Sequence, residues 1–165
     1  MDPAESDPTR PEGSFAVRGD CQTGVMARWN PWRALRAAPA IDLWFVTLDG
    51  DRGRWCRSAE GDEILLDAGL DRQTRREVLA HELVHVERGV GFPSATASTM
   101  QLEEERVWRI ALDRLAPPDE VHDFLERRST VGPVMVQDLA EEFDLSVEAA
   151  VRVAVLYRVR GRPSE

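Results

Sequence analysis

The chain has 165 residues, a net charge of −9 and 42% hydrophobic residues, including five tryptophans. That length fits one compact domain, and the negative charge disfavours general binding to nucleic-acid phosphates or to an anionic membrane. No apolar run approaches the roughly 18 residues needed to span a bilayer. The acidic start Met1-Asp2-Pro3-Ala4-Glu5-Ser6 also lacks the basic and apolar regions of a signal peptide, so a cytoplasmic location is expected. Cys21 and Cys56 stand in no metal or redox spacing and are expected to be free thiols.

Residues 1–24 are rich in Pro, Asp, Glu, Ser and Gly, which predicts a disordered acidic tail. A single domain follows over 25–160. Asn30-Pro31 sets an N-cap and a first helical position for a short helix through Arg36. Ile41 to Leu48, aromatic and β-branched, reads as a strand closed by the turn Asp49-Gly50-Asp51. Arg54 to Arg57 and Glu63 to Asp67 read as two more. Three short strands ahead of a helical region predict an α+β fold, with a small, mostly antiparallel sheet packed on helices. Trp44 and Trp55 are expected in the core. An extended peptide can be held as an added strand on a sheet edge; here Arg54–Arg57 and Glu63–Asp67 are both candidates.

The next helix carries the most informative residues of the chain. Thr74 through Glu77 fits a capping box. Val78, Leu79, Leu83 and Val86 give an apolar face, and Gly89 is a natural stop. Within it, His81-Glu82-Leu83-Val84-His85 reads H-E-x-x-H. Histidines four apart on a helix share one face, so both imidazoles can bind a single zinc ion. Glu82, offset by one position, flanks that ion as a general base toward a water that zinc activates. Only three histidines are present, and this motif uses two of them.

A catalytic zinc usually takes three protein ligands, and no third histidine follows at metzincin spacing. The run Glu103-Glu104-Glu105 opens a predicted helix to about Leu115. At roughly 100° per residue, Trp108, Ala111 and Leu115 share the face of Glu104. A carboxylate aimed at an apolar core is costly unless it is paired or metal-bound. Glu104 is therefore the first candidate for third ligand and Glu103 the alternative.

The remaining third, about 118–160, is predicted helical. Pro118 to Leu125 forms one short helix, with His122 read as a solvated surface residue. Val136, Leu139, Ala140 and Phe143 mark another helix, and Gln137 to Phe143 with the Ser146-capped segment to Tyr157 has the form of a helix-turn-helix. Residues 136–160 hold five acidic and three basic side chains, the wrong balance for a DNA-reading surface. No direct nucleic-acid contact is expected.

The stretch Leu79 to Gly89, then Glu103 to Val107, then Ala111 to Pro117 resembles the ImmA/IrrE-type family of zinc metallo-endopeptidases over about residues 40 to 158. Its H-E-x-x-H part is the specific portion. In that family the second helix reads E-x-x-A-[ND]-x-F-A and ends near a proline. Its ligand glutamate falls on Glu104, its small residue on Val107 and its last alanine on Ala111. Trp108 stands where the family carries Asp or Asn, which removes an expected outer partner of the metal ligands. The resemblance implies a zinc-dependent endopeptidase acting on one particular protein, a repressor or other DNA-binding regulator. A zinc-stabilised module that sequesters such a regulator without cutting it is the alternative.

Overall fold

The computed structural model describes residues 28–59, 61–89 and 96–160. The predicted tail and Cys21 lie outside these, while Cys56 is a free, half-buried thiol. Among the described residues the order is α1 (Pro31–Arg36), β1 (Ile41–Val46), β2 (Gly53–Arg57), β3 (Asp62–Asp67), α2 (Arg72–Arg88), α3 (Ala97–Leu115), α4 (Pro118–Ser129), α5 (Val136–Phe143) and α6 (Val147–Arg160). The α+β class is as expected. None of these helices is long and apolar enough to cross a membrane.

α1 starts as its sequence dictates. The Asn30 side chain accepts the backbone N–H groups of Trp32 and Arg33 at 3.0 and 3.2 Å, and Pro31 occupies the first turn, where no N–H is needed. The sheet has the order β1-β3-β2: β3 pairs antiparallel with β2 and parallel with β1. β3 is thus central and β2 is an edge, so of the two candidate docking strands only β2 has a free side among the described residues. Trp44 points out of β1 and is 53% exposed, contrary to its expected core position.

α2 is the centre of the molecule. Arg76 through Val84 are buried without interruption, because the helix is covered on both sides. Val78, Leu79 and Leu83 meet Ile64 and Leu66 of β3. Ala80 and Val84 join the larger core formed with α3, α4, α5 and α6. An amphipathic stripe would suffice for one covered face; this helix has two.

Its N-terminus corrects the expected cap. Asp71, not Thr74, is the N-cap, and its carboxylate accepts from Thr74 N at 2.9 Å and Thr74 Oγ1 at 2.8 Å. Glu77 is released for a longer-range task, accepting from Ser146 N at 2.5 Å and Ser146 Oγ at 2.8 Å. Ser146 in turn caps α6 through Ala149 N at 3.1 Å. Arg76 Nη1 donates to the carbonyls of Phe143 and Asp144 at 3.2 and 2.9 Å, across the turn where Asp144 adopts a left-handed φ of 52°. With Arg72, which pairs with the Asp144 carboxylate, three charged side chains of α2 hold the α5–α6 turn. The C-terminus is as read: Gly89 closes the helix at φ 61°.

Candidate metal centre

His81 and His85 project from α2 one turn apart, with ring centroids 4.6 Å apart and planes at 80°. Their Nε2 atoms lie 3.0 Å from each other. From α3 the Glu104 carboxylate reaches both: Oε2 is 3.2 Å from His81 Nε2, and Oε1 is 3.2 Å from His85 Nε2. The three donor atoms lie within 4.8 Å of one another, so this group can hold a metal ion.

The donor chemistry fits a divalent cation. Burial, then the neighbouring His81, lowers the His85 pKa, which favours the neutral imidazole that ligates. The hydrogen bond from His81 is the largest influence holding the Glu104 carboxyl below its ordinary value, so it is charged at neutral pH. Neutral nitrogen donors and an ionised oxygen are the required protonation states.

α3 differs from the sequence-based picture in two ways. It begins at Ala97, capped by Thr96, so the glutamates lie beyond its first turn. Its buried side runs through Val107, Ala111, Leu112 and Leu115. Glu104 sits at the margin of that stripe, its side chain 49% exposed on the cleft, rather than at the stripe's centre. Glu103 is the deeper residue, 11% exposed, and turns away to pair with Arg88 and, at 3.7 Å, with Arg106. It does not join the histidines.

Glu82 lies 5% exposed beside this group. Burial, and next the Glu104 carboxylate, push its carboxyl up to about 8. Its approach to the sheet depends on Gly53: a Cβ there would stand 2.9 Å from Glu82 Oε1 and 2.4 Å from Val78 Cγ1. Gly53 opens β2 one residue ahead of the strand read from the sequence, so its approach to α2 was set by packing and not marked by the sequence pattern. Around these residues lies a cleft of about 800 Å³, walled by β2 through Trp55, Arg54 and Arg57 and by Met100 of α3. Trp55 is a wall of the cleft rather than a core residue; its ring lies nearly parallel to His85 at 6.3 Å. Trp108 packs on His81, with centroids 4.2 Å apart.

His122 is remote and solvated, pairing with Glu126 at 3.1 Å along α4. Tyr157 donates to Ala116 O at 3.4 Å and does not line the cleft. The cationic side chains lining the cleft, among the described residues, are Arg54 and Arg57.

A helix offering two imidazoles, a carboxylate from the next helix and a buried acid under a sheet edge together define a peptidase-type domain with a centre able to hold a metal. Residues 47–154 match the model of the Peptidase_M78 family, described as the IrrE N-terminal-like domain. The chain belongs to this family, as the sequence resemblance implied. No match was found among curated proteins.

Proposed function

We propose that the protein is a zinc-dependent endopeptidase that hydrolyses a peptide bond in a specific protein, a repressor or related DNA-binding regulator, in the cytoplasm. The observation that carries this reading is the convergence of His81 Nε2, His85 Nε2 and the Glu104 carboxylate beside the buried Glu82. His81, His85 and Glu104 are the residues that would hold zinc. When bound, the ion supplies Lewis-acid polarisation of the scissile carbonyl, acidifies a water and, by its charge, lowers the Glu82 pKa. Glu82 takes the proton of the attacking water as the water oxygen bonds to the carbonyl carbon. It then gives that proton to the amine nitrogen as the C–N bond breaks. The free edge of β2, which flanks the cleft, suits an extended peptide laid on as an extra strand.

Replacing Glu82 by Gln keeps the charge-free shape and removes the base. The expected result is retained zinc, with cleavage slowed by about 10²- to 10⁴-fold. Full activity of Glu82→Gln would refute the mechanism. The second reading, a zinc-stabilised module that sequesters a regulator intact, draws on Trp108, which packs on His81 at the position where the resembled family carries Asp or Asn. Incubation with the DNA-binding regulator encoded nearest the gene, with and without chelator, separates the two. Chelator-sensitive fragments support cleavage, whereas a stable complex with uncut regulator supports sequestration.

A further inference from the structure

The proposed metal ligand His81 is 6% exposed, and its Nδ1 is buried with no group among the described residues to accept from it. A ligating imidazole ordinarily donates its second N–H to a carboxylate or carbonyl, which fixes the ring plane. Without that bond the terminal torsion of a histidine is soft, and something else must aim Nε2 at the ligand point. Trp108 is placed to do so. Its indole lies 4.2 Å from the imidazole centroid at an interplanar angle of 31°. His85 meets the His81 ring edge-on at 80° and limits it from another direction.

The indole is itself secured. The Arg152 guanidinium carbon lies over the Trp108 ring, 5.0 Å from its centroid. Arg152 donates to Glu148 Oε1 at 3.1 Å, and Glu148 Oε2 accepts from Arg52 at 2.9 Å. A chain of contacts thus runs from the residue just before β2, through α6, to Trp108 on α3 and His81 on α2. The same layering of imidazole, indole and guanidinium recurs at the other histidine, more loosely. Trp55 lies 6.3 Å from His85, with Arg57 5.0 Å from the Trp55 centroid.

We propose that Trp108 is a positioning residue of the metal centre. Its indole, held by Arg152, packs against the His81 imidazole and aims Nε2 at the shared ligand point, in place of a hydrogen bond at Nδ1. The proposal rests on the metal reading above and explains how this chain keeps an ordered ligand where the resembled family has Asp or Asn.

The test is zinc affinity of the full chain, measured by competition with a chromophoric chelator, together with the imidazole NMR signals of the zinc-free protein. Trp108→Leu removes the flat face and weakens zinc by about 10- to 100-fold, the range for an outer partner of a ligand. Trp108→Phe keeps an aromatic face and holds affinity within about threefold of wild type. Arg152→Gln, at an exposed position, weakens zinc by about two- to fivefold with the urea midpoint unchanged. The His81 signals carry an aromatic ring-current displacement that Phe preserves and Leu abolishes, a signature that general destabilisation would not produce. Equal affinity of Trp108→Leu and wild type, or equal losses for Leu and Phe, would overturn the proposal. Should the Leu variant fail to fold, Arg152→Gln decides: weakened zinc supports the proposal and unchanged zinc refutes it. Failure of wild type to take up zinc would sink the metal reading itself, a distinct outcome.

Discussion

Gly53→Ala is a small change with two linked consequences. The added Cβ would stand 2.4 Å from Val78 Cγ1, whereas carbon atoms in contact prefer about 3.5 to 4.0 Å. Something must therefore move by more than about 1 Å. Val78 is 2% exposed and packed with Ile64, Leu66, Leu79 and Leu83, so it has no open space to enter. Overpacking of this kind costs about 1 to 3 kcal/mol. The loss of chain entropy in the unfolded state returns about 0.4 to 1 kcal/mol. The net expectation is a destabilisation of about 1 to 2 kcal/mol, seen as a melting temperature lower by about 2 to 8 °C for a domain of this size. The same Cβ lies 2.9 Å from Glu82 Oε1, so the proposed base is displaced as well. A misplacement of about 1 Å can slow a reaction by about 10²-fold. Urea unfolding and cleavage of the regulator are the two assays. Gly50→Ala is the control: it strains a turn at φ 90° but meets nothing within 4 Å, so it can lower stability without touching Glu82. If Gly53→Ala matched wild type in both stability and cleavage, the reasoning from close packing would be refuted.

Other outcomes follow from the same geometry. Glu104→Ala is expected to weaken zinc binding by more than the about 10- to 100-fold typical of an outer partner. Glu103→Ala should leave zinc affinity unchanged but lower stability by about 1 to 3 kcal/mol, because it strips the partner from the part-buried Arg88. Chelator competition on the two variants checks both. Glu77→Ala strips the acceptor from Ser146 N–H and Oγ at the start of α6; a loss of about 1 to 3 kcal/mol in urea unfolding is expected. Asp71→Ala should cost about 1 kcal/mol at neutral pH. Hydrogen bonding from the Thr74 backbone lowers the Asp71 pKa in the folded state. Its contribution is therefore full above the unfolded value of about 3.9 and lost as pH falls through the folded value. The difference between wild type and Asp71→Ala should narrow over that acid range and not on the alkaline side.

The features legible in the sequence are those set by neighbours a turn or less away. His81 and His85 share a face because four residues make about one helical turn, whatever surrounds the helix. Asn30, Pro31 and Gly89 marked their helix ends because each satisfies or omits a backbone group locally. Even there a local rule had a competitor: Thr74 and Glu77 fit a capping box, but Asp71 offered a cap and Ser146 a better partner for Glu77. Glu104 was named as third ligand by a helical wheel that set it facing a core. It stands instead at a cleft margin, and the deeper Glu103 is satisfied by Arg88.

The order of strands, the edge position of β2 and the meeting of α3 with α2 were decided only by tertiary packing. β1 and β3 pair in parallel although β2 lies between them in the chain, a non-local choice that alternation of side chains does not encode. Whether Glu104 or Glu103 faces the histidines turns on how one helix crosses another, since neighbouring residues differ by about 100° around an axis. Side-chain spacing along the chain sets which groups share a face; the packing of distant segments sets what that face meets.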